Sequence, residues 1–233
     1  MVLNRQHGAG RIRCGNTNHG PVKPTYKQVV LADTPASLWL MDEVAGTTLA
    51  DSSGNNYTLS IGSPGQYTFQ YSPRPAGLDG AIYFNGAIAS ASAPVLPGGL
   101  TNFSYEFWIQ GLNDSNTYLI DRGNKDDIIY GYVANTCEFF GGNILRAGSQ
   151  LAVPADGNFH HCVYTYDGAN LRGYVDGVLK FTTPQVTTLS SGGNITINSS
   201  INPYQGGMAA FALYELTLSA TQVLNHYNSG MGN

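Results

Sequence analysis

From Tyr26 onward, short apolar runs alternate with turn residues at near-regular spacing. The opening segment "YKQVVLADTPASLWLMDE" predicts a short helical turn, a break at Asp33-Thr34-Pro35, and a strand ending at Asp42-Glu43. "DSSGNN" (Asp51 to Asn56) follows as a dense turn signal. Beyond it, runs rich in β-branched and aromatic residues predict strands at Tyr57–Ile61, Ala81–Phe84, Phe103–Gln110, Thr117–Asp121, Ile128–Ala134 and Cys137–Phe140. Further runs predict strands at Gln150–Val153, Phe159–Tyr166, Leu171–Val175, Val178–Thr182, Asn194–Asn198 and Gly207–Leu216. About a dozen short strands so spaced are the pattern of an all-β antiparallel sandwich or jelly roll. One helix is marked near the C-terminus. Ser219 and Gln222 form a capping box, Val223, Leu224 and Tyr227 an apolar stripe, and Gly230 a stop. It is too short to stand alone, so it is expected to pack on the sandwich.

Residues 1–30 break this pattern. "HGAGRIRCGNTNHGPVKP" has Gly or Pro every few positions and no sustained apolar period, so it cannot build a core. The chain therefore divides into an extended arm, 1–30, and a domain, 31–233. Charge divides the same way. Arg5, Arg11, Arg13, Lys23 and Lys27 give the arm +5 with no acid, whereas the rest carries −9. Two readings follow: a basic arm anchored on an acidic partner, or a solvated terminus. Five spaced charges are not a dense basic run, which argues against nucleic acid.

Only 11% of the chain is charged, against roughly a quarter in an average soluble protein. Gly, Tyr, Asn, Ser and Thr supply the surface instead, as suits turns and strands. No apolar stretch approaches the ~18 residues of a membrane span, and the N-terminus lacks the apolar centre of a secretory signal. Synthesis in a cytoplasm is the resulting expectation. Cys14, Cys137 and Cys162 are widely spaced with no C-x-x-C, which argues against a zinc site or a disulfide framework. Cys14 is read as a free thiol or a cross-link to another chain.

The stretch "NFHHCVYTYDGANLRGYVDGVL" (Asn158 to Leu179) concentrates reactive residue types. On a strand, however, His160 and His161 point to opposite faces and cannot share one metal. His160 and Cys162 share a face, but no third ligand follows them. Two Asp-Gly pairs, at Asp167 and Asp176, lie between β-type runs, the strongest short-range hairpin signal. The stretch reads as a three-stranded meander with aspartates in its turns.

Together with its neighbours, the stretch resembles the laminin-G-like, concanavalin A-like lectin/glucanase jelly-roll family. "SLWLMDE", "DSSGN", "AIYFNG", "FSYEFWIQ", the meander itself and "ALYELTLSATQVLNHYNSG" resemble its segments in order, from about Val29 to Gly230. The resemblance implies a two-sheet jelly roll. It also implies a structural calcium in many members, held in part by an Asp-Glu pair where Ala209 and Ala210 stand here. No cofactor is therefore expected. Glu43, Asp51, Asp126 and Asp127 are the acids left to serve a hard cation, which wants six or more oxygens.

Glucanases of this fold hold two carboxylates about 5–5.5 Å apart when they retain configuration, in one branch from an E-x-D-x-x-E run. The four glutamates, Glu43, Glu106, Glu138 and Glu215, start no such run. No catalytic role is expected. The amide and aromatic residues Asn113, Asn116, Tyr118, Asn202, Tyr204 and Gln205 are candidate glycan contacts. The entry "Tyr-x-x-x-Val-Leu-Ala-Asp-x-Pro" (Tyr26 to Pro35) resembles that of such domains in bacteriophage head and tail surface proteins. The resulting expectation is an oligomeric virion surface subunit, a minor tail or capsid decoration protein. Its arm would anchor on other virion proteins and its jelly roll would meet host glycans. The alternative is a carbohydrate-binding module of a bacterial cell-surface or secreted protein.

Overall fold

The computed structural model describes residues 23–62, 65–85, 91–93, 99–111, 117–122, 126–130, 135–141, 144–185, 194–198 and 203–233. Helix α1 (Tyr26–Ala32) opens the fold, capped by Thr25, whose side chain accepts from Gln28 N while Gln28 reaches back to Thr25 N. There follow β1 (Ser37–Trp39), β2 (Thr48–Leu49), β3 (Leu59–Ile61), β4 (Tyr67–Phe69), β5 (Ile82–Asn85) and β6 (Ala91–Ala93). The middle of the chain gives β7 (Phe103–Gln110), β8 (Thr117–Asp121), β9 (Asp126–Tyr130), β10 (Thr136–Gly141), β11 (Ile144–Leu145) and β12 (Leu151–Ala152). Then come β13 (Phe159–Tyr166), β14 (Asn170–Val175), β15 (Val178–Pro184), β16 (Ile195–Ile197) and β17 (Gln205–Tyr214), and helix α2 (Ala220–Gly230) closes the chain.

The strands form two antiparallel sheets. The first runs β15-β14-β13-β7-β17-β5-β4, with β1 also paired to β17; the second runs β11-β10-β9-β8-β16-β6-β3-β2, with β12 paired to β10. The jelly-roll expectation is met. Seventeen strands are described rather than about a dozen, the additional ones being two or three residues long and carrying too little periodicity to register in sequence. The predicted C-terminal helix is present with its Ser219–Gln222 capping box.

Strict alternation on the central strands builds two cores. On β7, Phe103, Tyr105, Phe107 and Ile109 join the core between the sheets, with Trp39, Phe139, Tyr164 and Phe211. Trp108 faces the other way, into a second core with Tyr26, Val30, Val163, Tyr214 and Val223, roofed by the helices. The central strands of the first sheet, β13, β7 and β17, are thus buried on both faces, and polar positions on their outer face are sealed beneath α1 and α2.

This corrects the arm boundary. Tyr26 and Val30, inside the predicted arm, are buried in the second core, so the folded domain reaches back at least to the Thr25 cap. Lys27 sits exposed on α1 and belongs to the domain. Lys23 is exposed just before it, and Arg5, Arg11, Arg13 and Cys14 lie outside the described residues.

Candidate functional site

The meander Phe159–Val178 feeds two histidines into two different polar clusters. On β13, His161 turns to the helix-covered face, where its Nε2 lies 2.9 Å from Glu106 Oε1 on the paired strand β7. Glu106 is fully buried and its carboxylate collects four partners. Tyr26 Oη donates to Oε1 at 2.8 Å, and Tyr214 Oη donates to Oε2 at 2.6 Å. His226 Nδ1, on α2, lies 2.8 Å from Oε2, and its Nε2 lies 2.8 Å from Asp33 Oδ2 at the C-cap of α1. Gln222 Nε2 donates to the other Asp33 oxygen at 2.7 Å.

With a carboxylate on each ring nitrogen, both nitrogens of His226 must donate, so the ring is an imidazolium. Burial opposes that charge, but Glu106 and then Asp33 outweigh it and raise its pKa to about 9. Burial likewise favours neutral Glu106, yet His226 and His161 hold it well below the usual carboxylate range. Burial, and then the Glu106 charge, push Tyr26 and Tyr214 upward, so both stay protonated donors. Glu106, His161 and His226 in this cluster are closed to solvent, Asp33 keeps a side chain 21% exposed, and together they join α1, α2 and the first sheet.

His160 enters the second cluster, at the rim. Its Nδ1 lies 2.8 Å from Asp176 Oδ2 and its Nε2 3.0 Å from Asp156 Oδ1. This too is an imidazolium between two carboxylates. Burial again opposes the charge, and Asp176 and then Asp156 raise the His160 pKa above its ordinary value. Asp156 accepts from the backbone N–H of Asn158 at 2.8 Å, which with His160 lowers its pKa to about 2. Asp176, at φ +53° in the Asp-Gly turn, also accepts from His161 N at 3.0 Å. The side chain of Asp156 is 47% exposed and that of Asp176 30%, so both carboxylates keep an open side.

They open onto a cavity of about 330 Å³ lined by Pro73, Arg74, Pro75, residues 156–160, Asp176, Tyr227 and Met231. Arg74 is fixed by donating from Nε to Leu78 O at 3.1 Å and from Nη2 to Asp79 O at 3.0 Å. Tyr227 stacks at 6.0 Å on Trp108 and at 6.3 Å on His161, which fixes its ring at the cavity wall. The cavity thus offers apolar rings and proline edges beside two ionised acceptors and a guanidinium. Such a mix of apolar walls with a few placed polar groups is what small-molecule sites present.

The predicted glycan contacts fare unevenly. Asn113, Asn116 and Asn202 lie outside the described residues. Tyr118, half-buried on β8, and Gln205, exposed at the start of β17, stand on different sheets and form no common site. Tyr204 is a correction. Its ring fills the core between the sheets, its hydroxyl donates to Gln110 O at 2.6 Å, and its N–H donates to Asn198 Oδ1 at 2.6 Å. No face is left for a sugar.

The acidic candidates are similarly occupied. Asp51 organises the turn after β2: Oδ1 accepts from Leu38 N and Ser53 N, and Oδ2 from Ser53 Oγ and Tyr57 N. Glu43 accepts from Ala50 N at 2.7 Å. Asp126 and Asp127 begin strand β9, paired with Gly141 and Phe140, rather than forming the loop expected for them. Ala209 and Ala210 are buried at a bulge in β17 and bring no oxygen side chain. Among the described residues, no group of three or more His, Cys, Asp or Glu converges as a metal site would require. Asp167, by contrast, is the turn residue expected, accepting from Ala169 N, Asn170 N and Arg172 Nη1.

Sequence reasoning missed Arg74, Asp156 and Tyr227. The i, i+4 spacing of Asp156 and His160 is a local signal; the approach of Tyr227 and Arg74 is purely tertiary.

Comparison with known proteins agrees with the architecture. The sequence matches the profile of the Concanavalin A-like lectin/glucanases superfamily over residues 79–224, more than half of the chain. No curated protein matches it. Domain 4 of AbnA, an extracellular arabinanase from Geobacillus stearothermophilus solved with arabinotriose, superposes with a TM-score of 0.63 at 14% identity. It covers 83% of this chain and 98% of that domain. The binding domain of botulinum neurotoxin serotype D gives 0.62 at 15% identity, covering 84% of this chain and 52% of the toxin domain. Trypanosoma rangeli sialidase, solved with sialic acid, gives 0.61 at 13% identity, covering 85% of this chain and 33% of the sialidase.

Proposed function

This chain belongs to the concanavalin A-like lectin/glucanases superfamily, and from that membership we propose that it is a non-catalytic glycan-binding module. Its ligand enters the cavity between the Pro73–Pro75 turn and the His160 wall. The observation that carries the reading is the pairing, in one cavity of about 330 Å³, of the fixed Tyr227 ring with the open sides of Asp156 and Asp176. A sugar ring offers an apolar C–H face to an aromatic ring and vicinal hydroxyls to carboxylate acceptors. The arabinotriose complex of the arabinanase domain, matched over 98% of that domain, supports the substrate class.

The electrostatics support binding over hydrolysis. Asp156, with a pKa of about 2, is ionised at neutral pH and cannot donate a proton. Both His160 protons are committed to carboxylates, and Glu106 is sealed beneath the helices.

A glycan array followed by calorimetry tests this. Tyr227→Ala and Asp156→Asn should each weaken binding of the best ligand at least tenfold while leaving the far-UV spectrum unchanged. Silence across neutral and acidic glycans, or a Tyr227→Ala protein that binds normally, overturns the reading.

The setting we propose is the surface of a bacteriophage virion, with an anchoring segment upstream of the Thr25 cap. The supporting observation is the Tyr26–Pro35 entry, built as a capped helix of the domain. Removing residues 1–24, rather than 1–30, spares Tyr26. The truncated protein should fold and bind glycan yet fail to enter particles. Normal incorporation would leave the carbohydrate-binding module of a bacterial surface or secreted protein as the better setting.

A further inference from the structure

The segment Ser72–Leu78, between β4 and β5, borders two cavities. One is the Tyr227 cavity of about 330 Å³. The other, of about 290 Å³, is lined by Ser72, Pro73, Arg74, Pro75, Ala76 and Leu78. Pro73, Arg74 and Pro75 line both, so three consecutive residues form their common wall. This wall is rigid by construction. Proline fixes φ on either side of Arg74. The Arg74 side chain, donating to Leu78 O and Asp79 O, closes the loop on itself, and Leu78 N donates to Pro75 O at 3.1 Å. At Gly77 the loop lies directly on the end of α2. Gly77 N donates to Gly230 O at 2.8 Å, and a Cβ at this position would collide with Ser229 O. Both cavities are therefore preformed on one fixed frame. Each alone lies near the lower bound of the ~300–1,000 Å³ range of small-molecule sites, and the two together reach its middle.

We propose that the second cavity is a further sugar subsite, and that the ligand is an oligosaccharide that crosses the Pro73–Pro75 wall with a ring in each cavity. The proposal rests on the glycan reading of the Tyr227 cavity. The two subsites differ in chemistry. In the first, the Tyr227 ring, Asp156 and Asp176 serve one sugar face and its hydroxyls. The second offers the Ser72 hydroxyl beside the small Ala76, and its charged group is Arg74, which it shares with the first. The Arg74 bonds to Leu78 O and Asp79 O use Nε and Nη2 and leave Nη1 to donate to oxygens near the linkage. The two prolines give the linkage an apolar crest to cross. Joining the rings makes the second contact intramolecular, so the chain binds more tightly than a single unit.

The test measures the effect of chain length. The full chain is titrated with size series, from one unit to five, of arabino-, xylo-, cello- and chito-oligosaccharides and of sialic acid oligomers. Within a series that binds, affinity should rise at least about tenfold from one unit to the chain that spans both cavities, then level off. Ala76 and Ser72 are exposed and line the second cavity but not the first. Ala76→Arg and its neutral counterpart Ala76→Gln place a long side chain there. Each should abolish the gain while leaving the affinity for one unit and the melting temperature unchanged. Ser72→Gln fills the same cavity from a second position and decides the matter if an Ala76 variant does not fold. A single unit bound as tightly as its oligomers, or a gain that survives in a folded Gln variant, overturns the proposal and leaves the Tyr227 cavity its glycan. Silence of the wild type toward every series overturns the glycan reading, and this proposal with it.

Discussion

The two histidine–carboxylate clusters share one motif, an imidazolium held between two acids, and differ in what surrounds it. Glu106–His226–Asp33 lies beneath two helices, with His226 and Glu106 fully buried. Asp156–His160–Asp176 lies at a cavity rim, with both acids partly in water. Water makes the difference in consequence. In the buried cluster, loss of His226 strands the Glu106 charge, which nothing solvates. At the rim, solvent takes over the lost interaction, so the carboxylates remain free to serve a ligand. The same chemistry thus holds the fold in one place and leaves open carboxylate acceptors in the other.

The sharpest way to break this comparison is to delete the two histidines separately. His226→Ala strips Glu106 and Asp33 of their shared cation and should cost about 3–5 kcal/mol in urea unfolding. His160→Ala should cost about 1 kcal/mol or less and instead weaken glycan binding. Equal losses would erase the distinction.

The next largest effect is in alkaline solution. The folded pKa of His226, about 9, lies above the unfolded value near 6.5. Its contribution is therefore complete below about pH 6.5 and lost as pH rises through about 9, an effect of roughly 3 kcal/mol at most. Thermal melts from pH 6 to 10 should fall through this window in the wild type, and this component of the fall should vanish in His226→Ala.

Tyr26→Phe removes one donor to Glu106 and should destabilise by about 1.5–3 kcal/mol in urea. It also tests whether α1 belongs to the domain, because a helix merely resting on the surface would tolerate the change.

The smallest effect is at the rim in acid. The folded pKa of Asp156, about 2, lies below its unfolded value near 3.9. Its contribution is present above about pH 4 and lost as pH falls through about 2. Solvent screening limits it to under about 1 kcal/mol. Asp156→Asn should flatten that part of the acid melting curve while hardly changing stability at pH 7.

The fold was legible because its signals are local. The Ser219–Gln222 box, the Asp-Gly turns and the alternation along β7 and β13 each sit within a few residues of sequence. The opposite fates of His160 and His161 also follow from strand alternation. The clusters they enter do not. Glu106 gathers Tyr26, His161, Tyr214 and His226 from four elements spread over the chain, and no spacing rule pairs them. The candidate cavity was hidden for the same reason, because the Arg74 turn and Tyr227 reach His160 only through the fold. Tyr204 misled because an aromatic beside amides reads as a sugar platform, and only the packed sandwich reveals its ring between the sheets. Trp108 beside Glu106 on the outward face of β7 was the available hint that something covers that face.

The clasp between the helices has a mechanical consequence. Tension applied at Thr25 reaches the sandwich first through α1. That helix is tied down by Tyr26 on Glu106 at one end and by Asp33 on Gln222 and His226 at the other. Tension would therefore meet a set of short, charge-assisted bonds before it could peel β1 from β17. Alkaline solution, by discharging His226, would lower the force at which that tether lets go.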